Sequence, residues 1–189
     1  ISSAEALNKI VADISENDLL VKSIKQGEKT RKSPLPFTTS TLQQEASSKL
    51  NFATTKTMRI AQQLYEGINI KGKGTIGLIT YLRTDSTRIS EEADASARKY
   101  IGDNYGEKYI ETQDGNGRQD KGGKKIQDAH EAIRPTDITL SPVKIKDELS
   151  RDQYRLYQLI YNRFLASRMA NAVYETRTVK AVAGEQNLQ

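Results

Sequence analysis

The chain of 189 residues contains no cysteine. That excludes a disulfide framework and any thiolate metal site. Histidine occurs once, at position 130, which gives little basis for a zinc site. Magnesium takes clustered carboxylates, and Asp85 and Glu131 form no evident pair. No apolar run approaches the length of a membrane span, and no signal peptide opens the chain. No membrane partner is therefore expected, and a reducing, cytoplasmic setting is the default. Internal repeats are lacking. A strong excess of one charge is lacking too: 29 Lys and Arg stand against 24 Asp and Glu, a net charge of +5. This balance suits a polyanionic partner without requiring one. The chain opens on Ile1 and closes on Gln189 with no evident stop, which reads as an excerpt of something longer.

What is present is helical periodicity between strand-like ends. Ala4, Leu7, Ile10, Val11 and Ile14 recur at helical spacing. A short strand is expected from about residue 18 to 25, running into basic residues at Lys29, Arg31 and Lys32. Pro34 and Pro36 continue neither element, so a domain boundary is expected near residue 33. Thr41 with Gln44 offers a capping box for a helix to about Leu50. A second helix runs from about Thr55 to Glu66 and stops at Gly67. Residues 77 to 82 read as a strand or a buried extended segment. Ser90, followed by Glu91 and Glu92, starts a helix that ends near 102 to 106. Four glycines among polar residues mark 112 to 125 as the most mobile loop expected. The longest helix spans about 150 to 169, with Tyr157, Ile160 and Phe164 as its apolar stripe. Residues 173 to 182 alternate as a strand. The expected class is α+β, mainly α: a helical block at 33 to 171, with arms at 1 to 32 and 172 to 189. If the arms pair, the block is an insertion into another domain.

The stretch GLITYLRTDSTRIS, residues 77 to 90, concentrates the chemistry. A free tyrosine hydroxyl, with a pKa of about 10, is a poor nucleophile at neutral pH. A neighbouring cation or a base makes it useful. In an extended segment residues i and i+2 share a face, which puts Arg83 beside Tyr81. The guanidinium can fork onto a phosphate and offset charge that grows during attack. Thr84, Asp85 and Ser86 add donors, acceptors and one carboxylate. Two readings fit: Tyr81 as nucleophile, or Tyr81 as one more packed aromatic among nine tyrosines, with Asp85 and Ser86 forming a turn.

A second cluster is DAHEAIRP, residues 128 to 135. If it is helical, His130 and Arg134 lie on one face at i and i+4. Imidazole can carry a proton or, when charged, contact a phosphate. An ordinary amphipathic turn fits equally well.

With both clusters in view, the chain resembles the type IA DNA topoisomerases, in particular their bacterial topoisomerase I branch. The matching stretches, in family order, are PFTTSTLQQEAS (36 to 47), KTMRIAQQLYEG (56 to 67), GLITYLRTDSTRIS, DAHEAIRPTD (128 to 137) and DQYRLYQLIYNRFLASRMA (152 to 170). The resemblance implies an enzyme that cuts one DNA strand by transesterification. Tyr81 would become linked to the 5′ phosphate, another strand would pass, and the cut would be resealed without ATP. It implies Arg83 on the scissile phosphate, His130 near the DNA backbone and Arg134 in support of that contact. It implies a helical domain carried by a β-rich hinge that forms an arch, with both arms as pieces of that hinge. It also implies magnesium, bound by a Toprim domain. No segment here resembles Toprim, so the chain alone is not expected to relax DNA. Single-stranded DNA and the remaining domains of the same polypeptide are the expected partners, and the nucleoid the expected place.

Tyrosine recombinases and type IB enzymes place arginines and a histidine before a late tyrosine, the reverse of the order here. Relaxase-type initiators need paired histidines. The remaining rival is a non-catalytic module that binds single-stranded nucleic acid, with Tyr81 stacking on a base.

Overall fold

The computed structural model describes residues 3–111, 130–184 and 186–188. They divide into two units. One comprises Ile1–Arg31 with Ala172–Gln189, and the other Lys32–Asn171. The expected loop at 112 to 125 lies outside the described residues.

In the first unit, Ser3 caps helix α1 (Ala4–Glu16) by accepting the N–H of Ala6. Strand β1 (Leu20–Arg31) pairs antiparallel with β4 (Ala172–Ala183), which pairs with the short β5 (Gln186–Leu188). The register runs from Leu20 opposite Val182 to Arg31 opposite Ala172, with a bulge between Val21 and Ser23. β1 therefore extends well past the expected end near residue 25. Its later basic residues are not irregular, because Lys25, Lys29 and Arg31 each stand opposite a residue of β4. The turn between β4 and β5 holds Gly184 at φ +57°, where a Cβ would lie 2.0 Å from Oδ1 of Asp13. Gln186 donates to the same carboxylate. Helix and turn thus meet through polar groups. No residue of α1 or β1 is buried, and among the described residues the buried apolar side chains here are Ala181 and Ala183.

The second unit holds α2 (Thr39–Glu45), α3 (Thr54–Glu66), the hairpin β2 (Ile68–Ile70) and β3 (Gly74–Ile76), α4 (Glu91–Tyr105) and α5 (Arg151–Arg168). Its core gathers Phe37, Leu42, Ile60, Leu64, Leu78, Ile101, Ile133, Leu156, Ile160 and Phe164 around α5, onto which α3 and α4 pack. The stripe Tyr157, Ile160 and Phe164 is buried. Two tyrosines of α5 bury their hydroxyls by donating to backbone carbonyls, Tyr157 to Leu140 and Tyr161 to Ile138. Burial pushes the Tyr157 phenol far above its ordinary range, and Tyr161 likewise. Neither is available for chemistry.

Two local expectations are corrected. The first helix of this unit is capped by Thr38, not Thr41. Thr38 and Thr41 form the reciprocal box, and residues Ala46–Leu50 wind as a π turn that ends in left-handed Asn51. Thr41 satisfies the N–H of Thr38 from the third helical position, so it belongs inside the helix rather than before it. Residues 77 to 82 are neither a strand nor evenly extended: a single bridge pairs Ile79 with Pro135, and the backbone bends at Thr80 and Leu82.

Helix α4 starts at Ser90, as its cap and acidic first turn imply. Asp94 in that turn accepts from Arg98 at 2.6 Å and from Arg168 of α5 at 2.8 Å. Burial pushes this carboxyl up, but the two guanidiniums outweigh it and hold it below its ordinary value.

Candidate active site

The site is a segment of irregular backbone held by side chains and main-chain groups of its neighbours. Leu78 N–H donates to the Leu64 carbonyl of α3 at 2.8 Å. Thr136 donates from N–H to Leu78 O and from its hydroxyl to Gly77 O. Thr80 N–H donates to Arg134 O at 2.9 Å, its hydroxyl donates to Ala132 O at 2.7 Å, and that hydroxyl accepts the N–H of Arg134. Farther on, Thr39 at the start of α2 closes a three-way clamp. Its hydroxyl donates to Leu82 O and accepts the N–H of Thr84, while its own N–H donates to Thr84 O. These bonds tie residues 77 to 84 on both sides and bring the two sequence clusters together.

Along this segment exposure alternates. Leu82 and Thr84 are buried at 1% and 8%, whereas Tyr81 is 46% exposed and Arg83 and Asp85 are exposed. Tyr81, Arg83 and Asp85 are thus each open to solvent, on a backbone that bends at Thr80, Leu82 and Arg83. Among the described residues the Tyr81 hydroxyl and the Arg83 guanidinium make no hydrogen bond or ion pair. The Tyr81 ring meets that of Tyr65 edge-on, centroids 5.5 Å apart and planes at 67°.

Thr84 and Ser86 serve the backbone. The Thr84 hydroxyl accepts the N–H of Ser86 at 3.0 Å, and the Ser86 hydroxyl accepts that of Arg88 at 3.1 Å. These two hydroxyl turns curl the chain after Arg83. Asp85 remains outside them.

The helical reading of residues 128 to 135 is corrected for its described part. Ile133 bridges to Phe37 and Pro135 to Ile79, and Ala132 N–H donates to Arg88 O. Backbone partners from distant segments replace the helical ladder. His130 is exposed. Arg134 is turned inward: Nε and Nη2 donate to Oε2 of Glu131 at 3.0 and 2.6 Å, Nη1 to Pro135 O at 3.0 Å, and Nη2 reaches Ser90 Oγ at 3.5 Å. Burial pushes the Glu131 carboxyl up, and its bonds with Arg134 more than offset this, leaving it below its ordinary value. Arg134→Ala should lower unfolding stability by about 1–3 kcal/mol, because it strands a partly buried carboxylate. In urea titrations this deficit should be full near neutral pH. It should close as pH falls below the ordinary glutamate range through the depressed folded value, since protonated Glu131 no longer favours the pair in the parent protein.

Thr39, Thr80 and Tyr65 support the site without a sequence signal that marks them, and Glu131, weighed only as a metal carboxylate, supports it through Arg134. All four lie within stretches that matched the type IA pattern; their roles depend on pairings that no local signal reports. Magnesium finds no ligand set among the described residues, where no three of His, Asp and Glu cluster. Asp85 stands alone and Glu131 is forked onto Arg134. No helix among the described residues is long and apolar enough to cross a membrane.

A family model described as DNA topoisomerase matches residues 1–189. Full-length topoisomerase I from Thermotoga maritima is similar in structure, with a TM-score of 0.79 at 43% sequence identity. The match covers 98% of this chain and 29% of that one. The chain thus spans less than a third of the length of this relative.

Proposed function

Because the chain belongs to the DNA topoisomerase family, on its type IA side, we propose that it is the nucleophile-bearing part of an isomerase that cuts and reseals one strand of DNA. The observation that supports this reading best is the presentation of Tyr81: a phenol exposed on a backbone tied down on both sides, with an exposed Arg83 two residues on. A rigid support of this kind serves a site that must hold near-attack geometry.

In the proposed step, the Tyr81 oxygen attacks the phosphorus of a DNA phosphodiester. The O–P bond to tyrosine forms as the bond from phosphorus to the 3′ oxygen breaks. The phenol loses a proton, and the departing 3′ oxygen gains one. One ester replaces another, so no ATP is needed and the reverse step reseals the strand after passage of another. Repeated cycles relax negative supercoils. Arg83 forks onto the non-bridging oxygens, whose charge grows in the transition state. Asp85 and the Ser86 hydroxyl line the same approach. Thr84, buried beneath them, positions rather than touches DNA. His130 contacts the backbone of the strand, and Arg134 braces its loop through Glu131.

The described residues gather no set of carboxylates for magnesium, and in this reading the metal belongs to a Toprim portion supplied by the rest of the polypeptide. In this reading the first unit is part of the hinge, into which the helical unit is inserted. The chain alone is inactive in relaxation and binds single strands weakly, mainly through backbone charge. Its setting is the cytoplasm, at the nucleoid.

The test is polarity. Single-stranded DNA labelled at its 3′ end is incubated with this chain together with Toprim-bearing protein, then denatured. A labelled covalent adduct is expected, since the tyrosine takes the 5′ phosphate of the downstream piece. Adduct from 5′-labelled DNA alone would overturn the assigned polarity. Binding with no adduct from either label would favour the single-strand scaffold.

A further inference from the structure

We infer that Tyr65, at the end of α3, is a positioning residue for Tyr81: its ring restricts the nucleophile to the rotamer from which the phenol oxygen can reach a phosphate. This rests on the reading of Tyr81 as nucleophile. An exposed tyrosine on irregular backbone has several staggered positions open to it. Attack needs one of them. The only ring contact of Tyr81 among the described residues is with Tyr65, edge-on at 5.5 Å and 67°, the arrangement that ring quadrupoles favour. Both rings stay open to solvent, Tyr65 at 39%, so this contact adds little to the core.

The mount of Tyr65 is firm. Leu64, beside it, is fully buried, and its carbonyl accepts the N–H of Leu78. The carbonyl oxygen of Tyr65 itself sits 2.6 Å from where a Cβ on Gly77 would stand. Any side chain at 77 would push the nucleophile segment off the last turn of α3. Glycine there lets the two backbones touch, and this close approach sets the spacing of the two rings. The hairpin between them is fastened as well, with Lys73 donating to Asp137 at 3.1 Å.

The test is single-turnover cleavage of a single-stranded oligonucleotide by the complete enzyme proposed above, with DNA affinity and melting temperature measured in parallel. Tyr65→Ala and Tyr65→Leu should slow adduct formation roughly ten- to a hundredfold, the usual penalty for a misplaced reacting group. DNA affinity and melting temperature should hold, and Tyr65→Phe should restore the rate, because it keeps the ring. Normal cleavage by Tyr65→Leu would overturn the inference. So would a Phe variant as slow as Ala, or DNA affinity that falls in step with rate, which would make Tyr65 a contact for a base. Peptide mapping of the parent adduct separates this from the underlying reading. An adduct on another residue removes the Tyr81 assignment. An adduct on Tyr81 with a normal Tyr65→Leu rate removes only the present inference.

Discussion

Tyr81→Phe should abolish the covalent DNA adduct and all relaxation by the complete enzyme while leaving fold and DNA affinity intact. The substitution removes a single oxygen. That oxygen has no hydrogen-bond partner among the described residues, so no buried group is stranded by its loss. The ring keeps its edge contact with Tyr65. The melting temperature should therefore stay put. Removing Tyr157 or Tyr161 hydroxyls should do the opposite: each donates to a core carbonyl, and its loss costs stability without touching cleavage. An adduct that persists in Tyr81→Phe would move the nucleophile elsewhere and undo the proposal at its root.

Arg83→Ala is the second large effect expected, a fall in cleavage rate of about 10²–10³-fold, comparable to loss of one preorganised charge donor at a reacting oxyanion. Arg83 is exposed and has no partner within the described protein, so its removal should leave the melting temperature almost unchanged. Lysine at this position should rescue only part of the rate. It restores charge but not the planar fork. Stopped-flow or quench measurements at saturating DNA would place the loss in kcat. A variant that melts early yet cleaves normally would make Arg83 a structural residue.

The contrast between Arg83 and Arg134 shows what was legible in the sequence. Both are arginines in polar clusters that the type IA resemblance singled out. Period two puts Arg83 beside Tyr81 only if the segment is extended, and both residues are exposed where the backbone in fact bends at Leu82 and Arg83. Nothing local predicts that Arg134 is occupied, since its fork to Glu131 exists only because residues 132 to 135 are drawn into extended pairing with Phe37 and Ile79. The helical alternative does not hold over residues 130 to 135 for the same reason: tertiary hydrogen bonds outweigh a weak local propensity. Helix α5 was readable because its stripe repeats over several turns. The length of β1 was not, because its basic second half is ordered by β4, from the far end of the chain. The clamp at Thr39 is the least legible part. A threonine in a Thr-rich helix start looks like a cap, and the actual cap is its neighbour Thr38.

The near-absence of buried side chains in the sheet unit has a kinetic corollary. With only Ala181 and Ala183 buried among its described residues, and Leu20, Val21, Ile24 and Val173 open to water, that ladder rests on its cross-strand bonds rather than on excluded solvent. Deuterium should enter the amides of β1 and β4 through openings that leave α5 shut, so labelling of the intact chain should proceed in two waves.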